Sequence, residues 1–257
     1  MSNYIMISGH NEKHLSKVSQ INGVVMLNLE DGVPKDKKQI ALNNITNLLK
    51  TTTKKEIVIR VNALDENGLE EIKQLNQFNF PIRIPKINNL DELNEVFNIT
   101  NNEIHLSIET KEAFFNIDKL AHPQITTFYL GVLDLFDELK LNHNLIKIDN
   151  QMIHKILIDF SLKCRYIDVT PIGFVYQQYK DLDGFQKWCE IQKDYGFEGV
   201  GCITPKQLEI ANKIFIKENK EYAKLIVERF EKEGPFTIDG LYVDEPIYKN
   251  YKMILGE

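Results

Sequence analysis

VVMLNLEDGVPKDKKQIALNNITNLLKTTTKKEIVIRVN, residues 24–62, contains one full unit of the fold. It opens on a short apolar run, 24–29, and closes on another, 57–60. Between them, residues 35–49 place apolar side chains at helix-compatible spacing and leave a polar outer face. Strands that alternate with helices in this way build a parallel sheet covered on both faces.

Working outward, further apolar runs occur at 4–7, 81–84, 104–108, 127–130, 166–168 and 200–203, which makes eight strand candidates. Helical spacing recurs at 68–75, 90–97, 151–163, 182–195 and 207–215. A count of eight favours a closed (β/α)8 TIM barrel over an open doubly wound sheet. The GxGxxG and GxxxxGK[ST] loops that often accompany open sheets are absent. The chain has 257 residues and 43% hydrophobic content, which suits one barrel of roughly 250 residues. The barrel is expected to occupy residues 1–217 and a C-terminal extension 218–257. In the extension a helix over 221–233 is followed by a turn at Gly234-Pro235 and the tail GPFTIDGLYVDEPIYKNYKMIL. This tail is too apolar to hang in water, so it should pack on its own barrel or on a neighbouring subunit.

The chain carries 31 Lys and Arg against 37 Asp and Glu, a formal charge of −6, so no global basic field draws nucleic acid or an anionic membrane. Small-molecule partners fit better. Cys164, Cys189 and Cys202 form neither a CxxC pattern nor an even set, and read as buried thiols in a reducing compartment. The N-terminal stretch lacks a basic region and a long apolar run, so a cytoplasmic protein is expected.

Barrel enzymes carry their catalytic groups where strands end and βα loops begin. Glu30 and Asp31 follow the run at 24–29, Arg60 and Asn62 stand at the end of the next, and Pro85-Lys86 follows 81–84. Glu109 follows 104–108, Gly131, Val132 and Asp134 follow 127–130, and Asp168 ends 166–168. A single carboxylate in such a place usually caps a helix or is solvated. Several converging carboxylates repel one another unless a cation lies between them, and oxygen-only ligands indicate a hard ion such as Mg2+. Glu109 and Asp134, on neighbouring strand ends, suit that role best. Arg60, one of only four arginines, has a planar fork suited to a carboxylate or a polarised carbonyl, or to a rim ion pair with Glu30 or Asp31.

The ordered set LEDGV (29–33) with Lys37, RVN (60–62), PK (85–86), IET (108–110), GVLDL (131–135), GFEGVGCITPKQLEIAN (196–212) and VDEP (243–246) resembles the citrate lyase β-subunit-like proteins of the HpcH/HpaI aldolase and citrate lyase group. The resemblance implies a Mg2+-dependent barrel in which Glu109 and Asp134 ligate the metal and Arg60 contacts the substrate oxygen. It implies that Glu30 and Asp31 orient metal waters or Arg60. Lys86, Gly131 and Val132, within PK and GVLDL, are the remaining substrate-binding candidates. It further implies a trimer in which Asp244 reaches a neighbour's site as acid/base; a turn or helix-capping aspartate is the plainer reading of that residue.

The expected reaction is cleavage or formation of a carbon–carbon bond in a short 3-hydroxyacyl thioester, of the citryl-, malyl- or citramalyl-CoA type, with a 2-oxo acid released or used. Two departures from the family pattern bear on the coenzyme. The pair Ala41-Leu42 stands where Ala-Arg is common, and Ile203-Thr204-Pro205 stands where Ile-His-Pro is common. Both remove a cationic or polar side chain, which gives weight to a 2-oxo acid aldolase that does without coenzyme A. Lys13, Lys17, Lys35, Lys37 and Lys38 are the cations available in compensation, although such lysines are usually only solvated. A non-catalytic barrel that binds a 2-oxo acid is the third reading. The segment 170–179, TPIGFVYQQY, reads as an aromatic loop after the seventh strand, walling the pocket or packing on a neighbour.

Overall fold

Eight parallel strands close into a barrel in the computed structural model, which describes residues 3–216 and 219–256. The strands are β1 (Tyr4–Ser8), β2 (Val24–Asn28), β3 (Ile57–Arg60), β4 (Ile82–Ile84), β5 (Ile104–Ile108), β6 (Ile125–Leu130), β7 (Thr170–Val175) and β8 (Gly199–Cys202). They pair in sequence order, and Tyr4 opposite Gly201 closes the ring. The intervening helices are α1 (Glu12–Leu15), α2 (Lys38–Thr51), α3 (Leu69–Leu75), α4 (Asn94–Ile99), α5 (Lys111–Phe115), α6 (Val132–Glu138), α7 (Gln151–Tyr166), α8 (Leu182–Asp194) and α9 (Pro205–Ile214).

Each helix turns its apolar stripe to the sheet. Along α2 the buried residues are Ala41, Leu42, Ile45 and Leu49, one face of a 3.6-residue period. In β5 every residue is buried, as expected of a strand covered outside by helices and filled inside by side chains. The main core lies between strands and helices, while Tyr4, Met26, Val58, Tyr129 and Ile172 form a separate cluster. The cysteines Cys164, Cys189 and Cys202 are buried and free.

The expected (β/α)8 barrel is thus observed, with one strand misplaced in the sequence reading. Residues 166–168 are not the seventh strand. Helix α7 continues to Tyr166, and Asp168 adopts φ 57°, a left-handed conformation that turns the chain into β7. Residues 170–175 of the supposed loop are therefore the strand itself, and only 176–179 follow it. Asp168 consequently lies before β7 and lines a separate hollow with Ile125 and Thr126, both at the start of β6.

The chain divides into two compact units, one ending at Phe215 and the other beginning at Ile216. The expected boundary between residues 217 and 218 lies outside the described residues. The second unit has more regular structure than an apolar tail suggests. Helix α10 (Lys220–Glu233) leads into an antiparallel pair, β9 (Phe236–Ile238) and β10 (Leu241–Val243), and then α11 (Glu245–Leu255). Its small core is built on Ile226, Phe236 and Val243, and Phe230 stacks on Tyr248 with ring centroids 4.5 Å apart. Among the described residues no helix is long and apolar enough to cross a membrane.

Candidate active site

At the C-terminal ends of the strands the barrel opens into a cavity of about 390 Å3. Asp31, Arg60, Glu109, Gly131, Val132 and Asp134 all line it. These residues come from the ends of β2, β3, β5 and β6, so the barrel brings together side chains more than a hundred positions apart in sequence.

Arg60 is the hub. It is buried, and its Nη2 lies 2.5 Å from Glu30 Oε2, 3.7 Å from Asp31 Oδ2 and 4.0 Å from Glu109 Oε2. Its Nε is buried with no hydrogen-bond acceptor, and Glu30 Oε1 is buried with no donor. A native site seldom leaves such groups unpaired unless something binds there. Glu30 Oε2 also accepts the Asp31 backbone N–H at 2.8 Å, and Lys86 Nζ stands 3.9 Å from Oε1. Burial pushes the Glu30 carboxyl up to about 7, against the pull of Arg60 and the Asp31 N–H, with Asp31 and Glu109 adding repulsion.

Glu109 is almost wholly buried, and its Oε1 accepts the backbone N–H of Lys86 at 2.9 Å. Burial raises its carboxyl; Arg60 and Arg83 oppose that shift and Asp134 adds to it. Asp134 lies in the first turn of α6 and is solvent-exposed at the cavity; its carboxyl is raised by desolvation and then by Asp31. Gly131 gives Glu109 its space, because a Cβ there would lie 2.5 Å from Glu109 Cβ and 2.7 Å from its Oε2.

The cavity rim is braced from behind. Lys38 Nζ donates to the carbonyls of Leu29 and Glu30 at 2.8 and 2.7 Å and to Asn62 Oδ1 at 2.6 Å. Asn62 in turn donates its backbone N–H to Glu71 Oε2 at 2.8 Å and its Nδ2 to Glu71 Oε1 at 2.5 Å. Lys38 is therefore committed to holding the strand ends and is not a free cation for a coenzyme. Leu42 is buried in the helix–sheet core, and Thr204 is the N-cap of α9 in a reciprocal capping box with Gln207.

Asp244 belongs to the second unit, where it is the N-cap of α11 and accepts the Ile247 N–H at 3.2 Å. Arg83, which the apolar run 81–84 conceals in the sequence, lines the cavity as well. All three residues of IRI are buried, and a guanidinium there is out of the ordinary, but the sequence alone does not tell that Arg83 points into the barrel.

One buried and one exposed carboxylate facing the same cavity, each raised above the ordinary carboxylate range, suit a hard divalent cation. Among the described residues no group of three His, Cys, Asp or Glu side chains could hold a metal. The pair Glu109 and Asp134 nevertheless fits Mg2+, which typically takes one or two carboxylates and completes its shell with water and substrate oxygens.

The fold and this cavity define a class of barrel enzyme with carboxylates gathered around a buried arginine at the strand ends. Residues 5–205 match the family model HpcH/HpaI aldolase/citrate lyase, and the chain belongs to that family. It is similar to a (3S)-malyl-CoA thioesterase of Cereibacter sphaeroides, 28% identical, with 93% of this chain and 88% of the relative covered. It is also similar to the citrate lyase subunit beta of Haemophilus influenzae, 25% identical over 90% of this chain and 87% of the relative. The crystal structure of CitE from Mycobacterium tuberculosis in complex with magnesium, acetoacetate and coenzyme A shares the fold. Its TM-score is 0.78 at 19% identity, covering 100% of this chain and 98% of CitE.

Proposed function

We propose that this protein is a Mg2+-dependent carbon–carbon lyase acting on a short 3-hydroxyacyl thioester, of the citryl-, malyl- or citramalyl-CoA type, and releasing or using a 2-oxo acid. The observation that carries this reading is the convergence of Glu109, Asp134 and Arg60 on one cavity, with Arg60 Nε left without an acceptor. The metal and coenzyme held by CitE, and the thioester named for the malyl-CoA relative, support it.

Glu109 and Asp134 would hold the ion. Mg2+, when bound, supplies a Lewis acid for the carboxylate and carbonyl oxygens of a 2-oxo acid. Arg60 is fixed by Glu30 through Nη2, and the rest of its fork, which makes no hydrogen bond to the described residues, is left for the substrate oxygen on which negative charge develops. Glu30 and Asp31 keep that guanidinium oriented, and the Lys86 N–H keeps Glu109 in place. Gly131 and Val132 shape the wall against which the acid lies.

In the synthetic direction Asp244 removes the proton beside the thioester carbonyl, the carbanion adds to the keto carbon, and Arg60 stabilises the alkoxide. In cleavage one of the cavity carboxylates takes the hydroxyl proton, the carbon–carbon bond breaks, and Asp244 returns a proton to the thioester carbon. We assign Asp244 to a neighbouring copy in a homotrimer of a cytoplasmic enzyme, with the barrel spanning 1–217 and the extension 218–257.

A second reading, a 2-oxo acid aldolase that does without coenzyme A, is favoured by two observations. Leu42 is buried in the core and the Thr204 hydroxyl is used in its cap, so neither position offers a group to a coenzyme. Product analysis after incubation with Mg2+ and each thioester tests the main reading. Acetyl-CoA plus a 2-oxo acid is expected. Release of free coenzyme A with the hydroxy acid intact would mean hydrolysis, and cleavage of free 4-hydroxy-2-oxo acids alone would mean the aldolase.

A further inference from the structure

Arg83 is not explained by the chemistry above. Its Cα pairs with Arg60 on β3 and with His105 on β5, so all three side chains face the barrel interior in one layer. The residue is 4% exposed and lines the same cavity as Arg60. Its Nε donates to Ser107 Oγ at 2.9 Å and its Nη1 to the Tyr4 hydroxyl at 3.1 Å. The guanidinium also lies over the Tyr129 ring, 4.1 Å from its centroid. Tyr129 OH is held by His105 Nδ1 at 3.1 Å, and His105 Nε2 is held by Glu103 at 2.9 Å.

Every direct partner of Arg83 is therefore neutral. Among the described residues no carboxylate comes within 4.0 Å of it, although Arg60 beside it has three. Two of the five guanidinium donors are used, and the rest find no acceptor among the described residues. Burial works against the guanidinium's charge, and Tyr4, Tyr129 and the more distant Glu109 offset it, yet no acid pairs with it directly as a structural role would invite. Glu109, a charge felt by Arg83, is instead committed to Arg60, the Lys86 N–H and the proposed metal.

We infer that Arg83 is an anion anchor on the cavity floor that selects a 2-oxo acid carrying a second carboxylate. This rests on the proposed function and narrows it. Arg60 reads the reacting keto end of the acid, and Arg83 reads the distal carboxylate. The layer of Tyr4, Ser107 and Tyr129 presents its guanidinium rigidly, with Tyr129 positioned by His105.

Isothermal titration in Mg2+ with freshly dissolved oxaloacetate and with pyruvate tests this on the wild type, Arg83→Met and Arg83→Lys. The wild type should bind oxaloacetate at least about tenfold more tightly than pyruvate, the scale of one charge-assisted contact. Arg83→Met should bring oxaloacetate down to the pyruvate level while changing pyruvate affinity less than about threefold. Arg83→Lys, which keeps the charge and the fold but loses the fork, should retain part of the preference. Equal binding of the two acids by the wild type overturns the inference and leaves the lyase reading standing. A preference that persists in Arg83→Met, or equal weakening of both acids in both variants, also overturns it. If neither acid binds the wild type, both this inference and the proposed function fall.

Discussion

Around Arg60 the key side chains are held in place: Glu30 holds the guanidinium, the Lys86 N–H holds Glu109, and Gly131 leaves Glu109 its room. Gly131→Ala should be as damaging as losing the carboxylate, because the new methyl would lie 2.5 Å from Glu109 Cβ and 2.7 Å from its Oε2 and push the side chain from its place. Both Gly131→Ala and Glu109→Gln are expected to weaken Mg2+ binding by about 100-fold or more, since even outer-shell changes cost 10–100-fold. Calorimetric titration with Mg2+ checks this, and near-normal affinity in either variant would remove Glu109 from the ligand set. The Glu30 carboxyl, pushed up to about 7 by burial, gives a pH signature. A carboxyl raised in the folded state stabilises that state below its unfolded value and loses the contribution as pH rises through its folded value. The metal-free protein should therefore lose stability as pH rises from about 4.5 through about 7, and Glu30→Gln should flatten that slope in thermal melts. An unchanged slope in the variant would contradict the assignment. The acids and Arg60 were legible in the sequence because polar residues at the ends of apolar runs stand out. Arg83 was not, because nothing in IRI tells which of its residues faces inward before the register is known.

At the level of elements, the alternation of short apolar runs and helical spacing made seven strands readable to within a residue or two. The seventh was not, for a physical reason. Pro171 and Gly173 make 170–175 look like a loop, since both residues usually weaken strands. The Pro171 carbonyl nevertheless takes its place in the barrel by accepting the Glu198 N–H at 3.0 Å. Residues 166–168 looked like a strand because Tyr166 and Ile167 are apolar, yet Tyr166 is the exposed last residue of α7. In the second unit, Asp244 begins α11 as its N-cap, which separates two roles by mutation. Asp244→Asn keeps a good capping group, so it should fold with normal stability while losing turnover. Asp244→Ala should lose turnover and also about 1 kcal/mol of stability. Denaturant melts alongside the lyase assay distinguish these outcomes, and full turnover in Asp244→Asn would remove the residue from the mechanism.

For the molecule as a whole, the closed barrel does two jobs at once. Its strands order a set of charges that water would otherwise screen, and its helices supply the apolar burial that makes such a cluster tolerable. The extension, with its own core on Ile226, Phe236 and Val243, is a folded unit and not a loose tail. If Asp244 serves a neighbour's cavity, the active species is an oligomer, and sedimentation analysis should find a trimer whose dilution lowers specific activity; a fully active monomer would contradict that placement. The central claim is tested most directly by calorimetric titration of the metal-stripped protein with acetyl-CoA, in the presence of Mg2+ and saturating 2-oxo acid. The account predicts binding that requires both Mg2+ and the acid, because the thioester meets a site completed by them. Tight binding of the acid with Mg2+ but none of acetyl-CoA under any condition would contradict the thioester lyase and leave the aldolase in its place.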